Sequence, residues 1–560
     1  MSYMQIQKGG LNNKSARYVY LAWNDWDADR RRSVQHRFYV GRIVEDGRVL
    51  VNKKFSGDRT VFVTVAELQA KAKERSVFET WLRGTAAGPT LTGGVARVDI
   101  VGDGWVVRHL ADACGLSLLL REVFGEEESA AWLGLAAHQL VTGHALYRAE
   151  AWLAQRELPQ AWKSPLVAES TVHGFVARLG ADVGRRESFL ERWVARHKGP
   201  GALLHDITSI STYSPALELA EWGYNRDDET LPQINFSLAA TPGGLPLFYR
   251  IIPGSIPDVR TLAVSLQVAH EYGLDKLSVS LDRGFYSRSN LGELCQLDAG
   301  FLLGVPWSVK EAQSLFQKSA ARLKSPRHGF LYAGAALRHV AEPWLLDGNQ
   351  FSAHLYFDPA RHSEQALRFE KTVRDFAAKA EREVFRSRRA AGVWLAENTG
   401  KHGACLRVTT GPDGKPRIIV KTAAIASATA RAGYSIILTR GRAPQEEIAE
   451  RVLADYRARD VAEKLFDAFK TEDGQFRLRT AHDASVQGRF FLGFVTLILR
   501  SELEKRMRAA GLHRSSTTAG VLDELAKVKA LSTRTGTRIL LEVSKRQRLL
   551  LAALKLPEFA

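Results

Sequence analysis

The sequence predicts an α/β protein: a mixed sheet with flanking helices, interrupted by a mostly β insertion, with an amino-terminal α+β region and a carboxyl-terminal helical region. Three observations lead there. Residues 203–252 hold three strand-like runs joined by short connections, and 258–305 alternate helix with strand, as parallel neighbours in a sheet require. From 308 to 440 that rhythm stops and several β-like runs appear, in a stretch too long for a loop. On either side, apolar residues recur at helical spacing.

Taken in order, YVYLAW at 17–22 and HRFYVGRI at 35–42 flank a charged, turn-prone NDWDADRRRSVQ and read as a hairpin. TVFVTVAELQAKAKERSVFETWLRGT then passes from strand to helix. Helices are predicted at 122–137, 144–155 and 181–195. The sheet region follows, with strands at 203–209, 233–240 and 245–252, a helix at 258–271, a strand at 277–281, a helix at 287–297 and a strand at 301–305. In the insertion, AHLYFD, GVWLAE, RIIVKTAAIA and YSIILT read as strands around a charged helix near 361–384. APQEEIAERVLADYRARDVAEKLFDAFK reads as one long helix, and GRFFLGFVTLILRSELEKRM, VLDELAKVKAL and SKRQRLLLAALKL as further helices. The boundaries implied are 1–100, 101–198, 199–307 with 441–500 as the sheet domain, 308–440 as the insertion, and 501–560 as a helical tail.

Composition narrows the function classes. A formal charge of +17 on 560 residues favours a polyanionic partner, nucleic acid first. The amino-terminal and helical regions are candidate DNA contacts, and the tail is a candidate for DNA binding or dimerisation. Cys114, Cys295 and Cys405 lie too far apart for a disulfide framework or thiolate zinc site and fit a reducing compartment. The start lacks the apolar run of a signal peptide, and no run is long enough to span a membrane. The expectation is a soluble intracellular protein.

Two acidic residues stand out in the sheet region. Asp206 interrupts the apolar strand LLHDITSI, where an isolated carboxylate is costly unless paired, hydrogen-bonded or metal-bound. Asp282 follows KLSVSL, at the carboxyl end of a strand, where ligand sites of α/β sheets lie. Either also has a purely structural reading: Asp206 as a local cap through Thr208 and Ser209, Asp282 as a helix cap or a partner of Arg283. On the late helix, Tyr456, Arg459, Glu463 and Lys470 fall within an arc of about 60° at 100° per residue. Val461, Leu465, Ala468 and Phe469 gather opposite. Asp460 and Asp467 also lie within about 60° of Glu463, so periodicity leaves the choice of carboxylate open. Three carboxylates from a strand, a strand end and a distant helix suit Mg²⁺, which takes oxygen ligands and keeps waters. His205 and His482 lack the compact spacing of a zinc site.

These residues carry a family resemblance. Tyr456, Arg459, Glu463 and Lys470 match, at every spacing, the Tyr-Arg-Glu-Lys signature of DDE transposases of bacterial insertion sequences. HDITSIS with GYNRDDETLPQINFSL resembles the family's first block, and GLPLFYRIIPGSIPDVRTL with SVSLDRGFYSRSNL resembles the second. Ser255 stands where the family usually has Asn. The resemblance covers roughly 200–500, and more loosely the YVYLAW region and the Lys-rich tail.

The resemblance implies a ribonuclease-H-like catalytic core with Asp206 on the first strand, Asp282 after the fourth and Glu463 on the helix beyond the insertion. It implies that these three hold Mg²⁺ or Mn²⁺, as two ions, for endonucleolytic cleavage and strand transfer. It also implies that Tyr456, Arg459 and Lys470, with Arg283 nearby, contact DNA phosphates. The partners implied are double-stranded DNA, as terminal inverted repeats and target, and a second copy of the chain in a synaptic complex. The location implied is the bacterial cytoplasm, on the nucleoid when DNA is bound. The competing readings are a metal-dependent nuclease on the same fold and a non-catalytic DNA-binding protein.

Overall fold

The computed structural model describes residues 2–8, 16–28, 30–56, 61–87, 95–199, 203–225, 229–274, 278–472, 477–478, 480, 482–534 and 536–559. Asp29 in the predicted hairpin turn, 226–228 of the first block and Leu277 at a predicted strand start lie outside the described residues.

The chain divides into two compact units, one of 1–98 with 531–539 and one of 99–530 with 540–560. In the first, strands Ser2–Lys8, Arg17–Asp27, Arg32–Ile43, Val49–Val51 and Phe62–Val63 pair in sequence order as an antiparallel sheet. Inward-facing Val19, Leu21, Val40 and Val49 pack against Phe78 and Leu82 of the helix Arg75–Ala87. The preceding helix, Val65–Lys71, starts where Thr64 and Glu67 form a reciprocal capping box.

The second unit is built around one large mixed sheet. Its strands in chain order are β1 (Leu203–Thr212), β2 (Gln233–Ala240), β3 (Pro246–Pro253), β4 (Ser278–Leu281), β5 (Gly300–Gly304), β6 (Gly329–Tyr332), β7 (Ala335–Leu346), β8 (Asn349–Phe357) and β9 (Tyr434–Arg440). They lie side by side in the order β6-β7-β8-β9-β5-β4-β1-β2-β3, and Arg477–Leu478 adds a short parallel pairing to β1. β1, β4 and β5 run parallel, while the other neighbouring pairs are antiparallel. Helices Asp258–Glu271 and Arg288–Gln296 make the crossovers that parallel strands need. Where the sequence predicts strands at 203–209, 233–240, 245–252 and 301–305, strands form.

The apolar stretch of 488–507 lies in the helix Asp483–Ala509, and every residue from Phe490 to Leu503 is buried. It crosses the helix Val172–Ala181 closely: a Cβ on Gly180 would strike the Ala484 carbonyl, and one on Gly488 the Val176 carbonyl. Among the described residues, no helix is long and apolar enough to cross a membrane.

Four expectations need correction. Residues 308–440 are not mostly β. They combine strands with helices Lys310–Leu323, Pro359–Glu381, Arg388–Thr399 and Thr422–Thr429, and β7–β9 extend the central sheet rather than forming a separate body. GVWLAE lies in a helix: Ser387 caps its start, its neighbours are strong helix formers, and Trp394 and Leu395 pack beside Ala391, Cys405 and Ile418. In the tail, VLDELAKVKAL splits into the helix Thr518–Leu525 and the strand Lys529–Thr533.

The fourth correction concerns the Tyr456–Lys470 stretch. It is no single helix but α1 (Ala449–Arg457), α2 (Asp460–Asp467) and one π-helical turn, Ala468–Glu472. At the junction the amides of Arg459, Val461 and Ala462 bond three residues back, to Tyr456, Ala458 and Arg459, tightening the backbone. The wider turn that follows lets Phe466 and Phe469 both reach Phe236 of β2, the latter stacked at 4.5 Å between ring centroids. Uniform 100° steps do not describe this stretch.

Candidate active site

β1 and β4 bring the two aspartates together. Ser280 pairs with Leu204, so two residues further along each parallel strand Asp282 falls level with Asp206. Residues two apart share a face, and neighbouring strands put the Cα atoms about 5 Å apart. Asp282 lies just beyond β4, and its backbone is still extended (φ −71°, ψ 162°). One oxygen of Asp206 accepts the Ile207 amide at 2.9 Å, and its side chain is half-buried in an otherwise buried strand. His205, its neighbour, points to the other face, where Nε2 meets the Ser237 hydroxyl at 3.0 Å. Burial drives the His205 pKa down to about 4. It stands apart from the acidic face.

Above that face sits Arg459, whose side chain is only 12% exposed. Its Nη1 donates to Glu463 Oε1 at 2.9 Å, and its Nη2 lies 3.6 Å from Asp282 Oδ1. Its guanidinium carbon stands 5.4 Å from the centre of the Tyr456 ring. Burial works against the charge of Arg459. The fields of Tyr456, Asp282, Asp206 and Glu463 outweigh it and hold the pKa above the ordinary arginine range. One guanidinium therefore gathers both aspartates and the glutamate into one electrostatic group. Asp460 and Asp467, which periodicity left in contention with Glu463, are exposed.

Tyr456 is fixed by shape. Its hydroxyl stands against Gly304, the last residue of β5, so closely that a Cβ there would collide with it. Burial above all, with a contribution from Asp282 and against Arg459, pushes its pKa up to about 12. It is thus a neutral phenol near neutrality.

α1 is anchored from behind by a buried polar chain. His339 meets His354 at 3.0 Å, and His354 meets Glu447, just before α1, at 2.7 Å. Thr439 donates to the same Glu447 oxygen at 2.9 Å, and Arg442 bonds Asp455 of α1 at 2.7 Å. Burial alone would raise the Glu447 pKa, but the bonds from His354 and Thr439 hold it below the usual carboxylate range.

The remaining predicted residues fall elsewhere around this centre. Lys470 belongs to the π turn and is 7% exposed, and its charge reaches Glu229, which is ion-paired with Arg477. It does not share the open stripe with Glu463. Ser255, at the position where the resembled family has Asn, donates through its hydroxyl and its amide to Glu221.

Arg283 follows Asp282 into a cavity of about 540 Å³ that also takes Arg361, Arg431 and Arg457. Asp358 is the only acidic side chain among its described lining residues. Arg431 stands over the Trp307 ring at 5.8 Å. Four arginines facing a half-open space make a positively charged wall next to Asp282. Arg457 was within reach of sequence reasoning, as the neighbour of Tyr456. Arg361 and Arg431 lie within the 308–440 segment, where no sequence signal ties them to the aspartates.

The donors available to a metal are carboxylate oxygens, the set suited to Mg²⁺ or Mn²⁺. A cation is already drawn into their midst in the form of Arg459. As the side chains stand, no three His, Cys, Asp or Glu residues among those described form a metal-holding group.

No family model matches the chain, and no curated protein matches it. Among solved structures it is similar to piggyBac transposase, determined by cryo-electron microscopy as a synaptic complex with hairpin DNA. The likeness covers 78% of this chain and 77% of that one, with a TM-score of 0.35 and 9% identity.

Proposed function

We propose that this chain is a DNA transposase of the DDE type, with a ribonuclease-H-like core and a metal site formed by Asp206, Asp282 and Glu463. The observation that carries the reading is the level placement of Asp206 and Asp282 on adjoining parallel strands, with Arg459 linking Asp282 to Glu463. The order of parts supports it as well: an aspartate on the first strand of the sheet, one directly after the fourth, and the glutamate on a helix beyond the inserted segment.

In this reading Asp206, Asp282 and Glu463 would hold the divalent cation, whose charge would draw the scissile phosphate to the site. Mg²⁺ or Mn²⁺, bound as two ions, supplies Lewis-acid charge at that phosphate and lowers the pKa of an attacking water. Tyr456, Arg459 and Lys470 orient the DNA backbone, and the arginine wall of Arg283, Arg361, Arg431 and Arg457 carries the flanking strand. Hydrolysis forms a bond from the water oxygen to phosphorus and releases a 3′ hydroxyl. In strand transfer that hydroxyl attacks a target phosphodiester, whose own 3′ oxygen leaves with a proton. The substrates are the terminal inverted repeats of the chain's own element and a target duplex, gripped by two copies of the chain.

The test is a cleavage and joining assay with Mg²⁺ on DNA that ends in the sequences flanking the coding region. The wild-type chain is expected to cut and join. Asp206→Asn, Asp282→Asn and Glu463→Gln are each expected to lose cleavage by at least about 10³-fold, with DNA binding retained. Cleavage that survives in all three variants refutes the site. Cutting without joining identifies a nuclease instead.

A further inference from the structure

Arg459 contrasts with the permanent arginine pairs of the same chain. Arg250 grips Glu187 through both terminal nitrogens at 2.9 Å each and also meets the Tyr272 hydroxyl at 2.9 Å. That two-pronged geometry locks a guanidinium in place. Arg459 makes one good bond, to Glu463, and approaches Asp282 only to 3.6 Å. Its buried Nε donates to no group among the described residues. Glu463 itself is 54% exposed, so water reaches the one strong contact. The guanidinium is held by the sum of surrounding negative charge rather than by a fitted socket.

We propose that Arg459 is a built-in counter-ion of the candidate metal site: it screens Asp206, Asp282 and Glu463 while no metal is bound and must leave for a divalent cation to enter. The proposal rests on the reading of these carboxylates as metal ligands. Two aspartates level on adjacent strands repel, and a facing glutamate adds to the strain on the unliganded fold. A side-chain cation relieves that repulsion without closing the site for good. A guanidinium and a divalent ion cannot share the place, because both the volume and the sign of charge conflict. The looseness of the Asp282 contact and the unused Nε keep the cost of departure low. On metal entry the side chain would turn from the junction between α1 and α2 toward solvent, where a DNA phosphate would receive it. Arrival of metal and capture of substrate are thereby linked through one residue.

The experiment measures Mn²⁺ binding to the full-length chain without DNA, by electron paramagnetic resonance of free Mn²⁺ and by calorimetry. Removing the competing cation in Arg459→Gln is expected to tighten Mn²⁺ binding by about tenfold, while Arg459→Lys, which keeps the charge, stays nearer to wild type. Arg459→Met, which preserves the buried aliphatic bulk, gives the same reading if the Gln variant does not fold. Wild-type or weaker Mn²⁺ affinity in the folded charge-removing variant overturns the proposal. If Asp206→Asn and Asp282→Asn lose Mn²⁺ while removal of Arg459 changes nothing, the counter-ion role fails and the carboxylate site stands. If neither wild type nor the folded charge-removing variant binds Mn²⁺, both fall.

Discussion

Gly304 offers the sharpest test of how the site is held. It ends β5, buried, with the Tyr456 hydroxyl against its Cα and the Arg283 amide close by. An added Cβ would fall inside the closest approach to Tyr456 Oη and lie 3.1 Å from the Arg283 nitrogen and 3.3 Å from its Cβ. Gly304→Ala must therefore displace Tyr456, whose ring flanks Arg459, or Arg283, which follows Asp282. Overpacking of this kind costs about 1–3 kcal/mol. A catalytic group displaced by about 1 Å loses on the order of 10²-fold in rate. The larger part of the clash is with one oxygen, so Tyr456→Phe in the same chain should relieve it. Urea denaturation of wild type, both single variants and the double variant closes a thermodynamic cycle. The expected coupling is at least about 0.5 kcal/mol, with Gly304→Ala less harmful in the phenylalanine background. An equal cost in both backgrounds, or no cost in either, refutes the account of how Tyr456 is seated.

Two further predictions concern the frame around the site. Asp103 is fully buried and bonds Arg156 at 2.8 and 2.9 Å, with the guanidinium stacked 3.8 Å from the centre of the Trp152 ring. Asp103→Ala strands a buried charge and should lower stability by about 3–5 kcal/mol; a loss below about 1 kcal/mol in denaturation would contradict this. Burial alone would raise the Glu187 pKa, but hydrogen bonds from Arg250 and Tyr272 hold it below the usual carboxylate range. A depressed carboxyl stabilises the fold above its unfolded pKa of about 4.5, and that contribution disappears as pH falls through the folded value. Glu187→Gln should therefore be less stable than wild type near neutrality and should lose less on acidification below about pH 4.5. Melting temperatures that fall in parallel for the two proteins across that range would contradict it.

By itself the sequence determined the alternation of strand and helix from 203 to 305, because the period of apolar residues and the short polar connections are local signals. LLHDITSI announced a strand with one misplaced carboxylate, and KLSVSLDRG announced a strand end with another. The four-residue signature from Tyr456 to Lys470 singled out that stretch of chain. Its shape was not legible there. Uniform helical arithmetic assumed an unbroken helix, whereas packing of Phe466 and Phe469 onto Phe236 accompanies a tight turn at Arg459 and a wide one at Lys470. Those two turns set Arg459 among the acids and leave Lys470 buried, with its charge reaching Glu229. Nor did local pattern predict that β7–β9 would extend the central sheet and bring Arg361 and Arg431 beside Arg283. Strand register, seating against a glycine and the meeting of charges from distant segments all depend on contacts between residues far apart in sequence. Tertiary structure alone decided them.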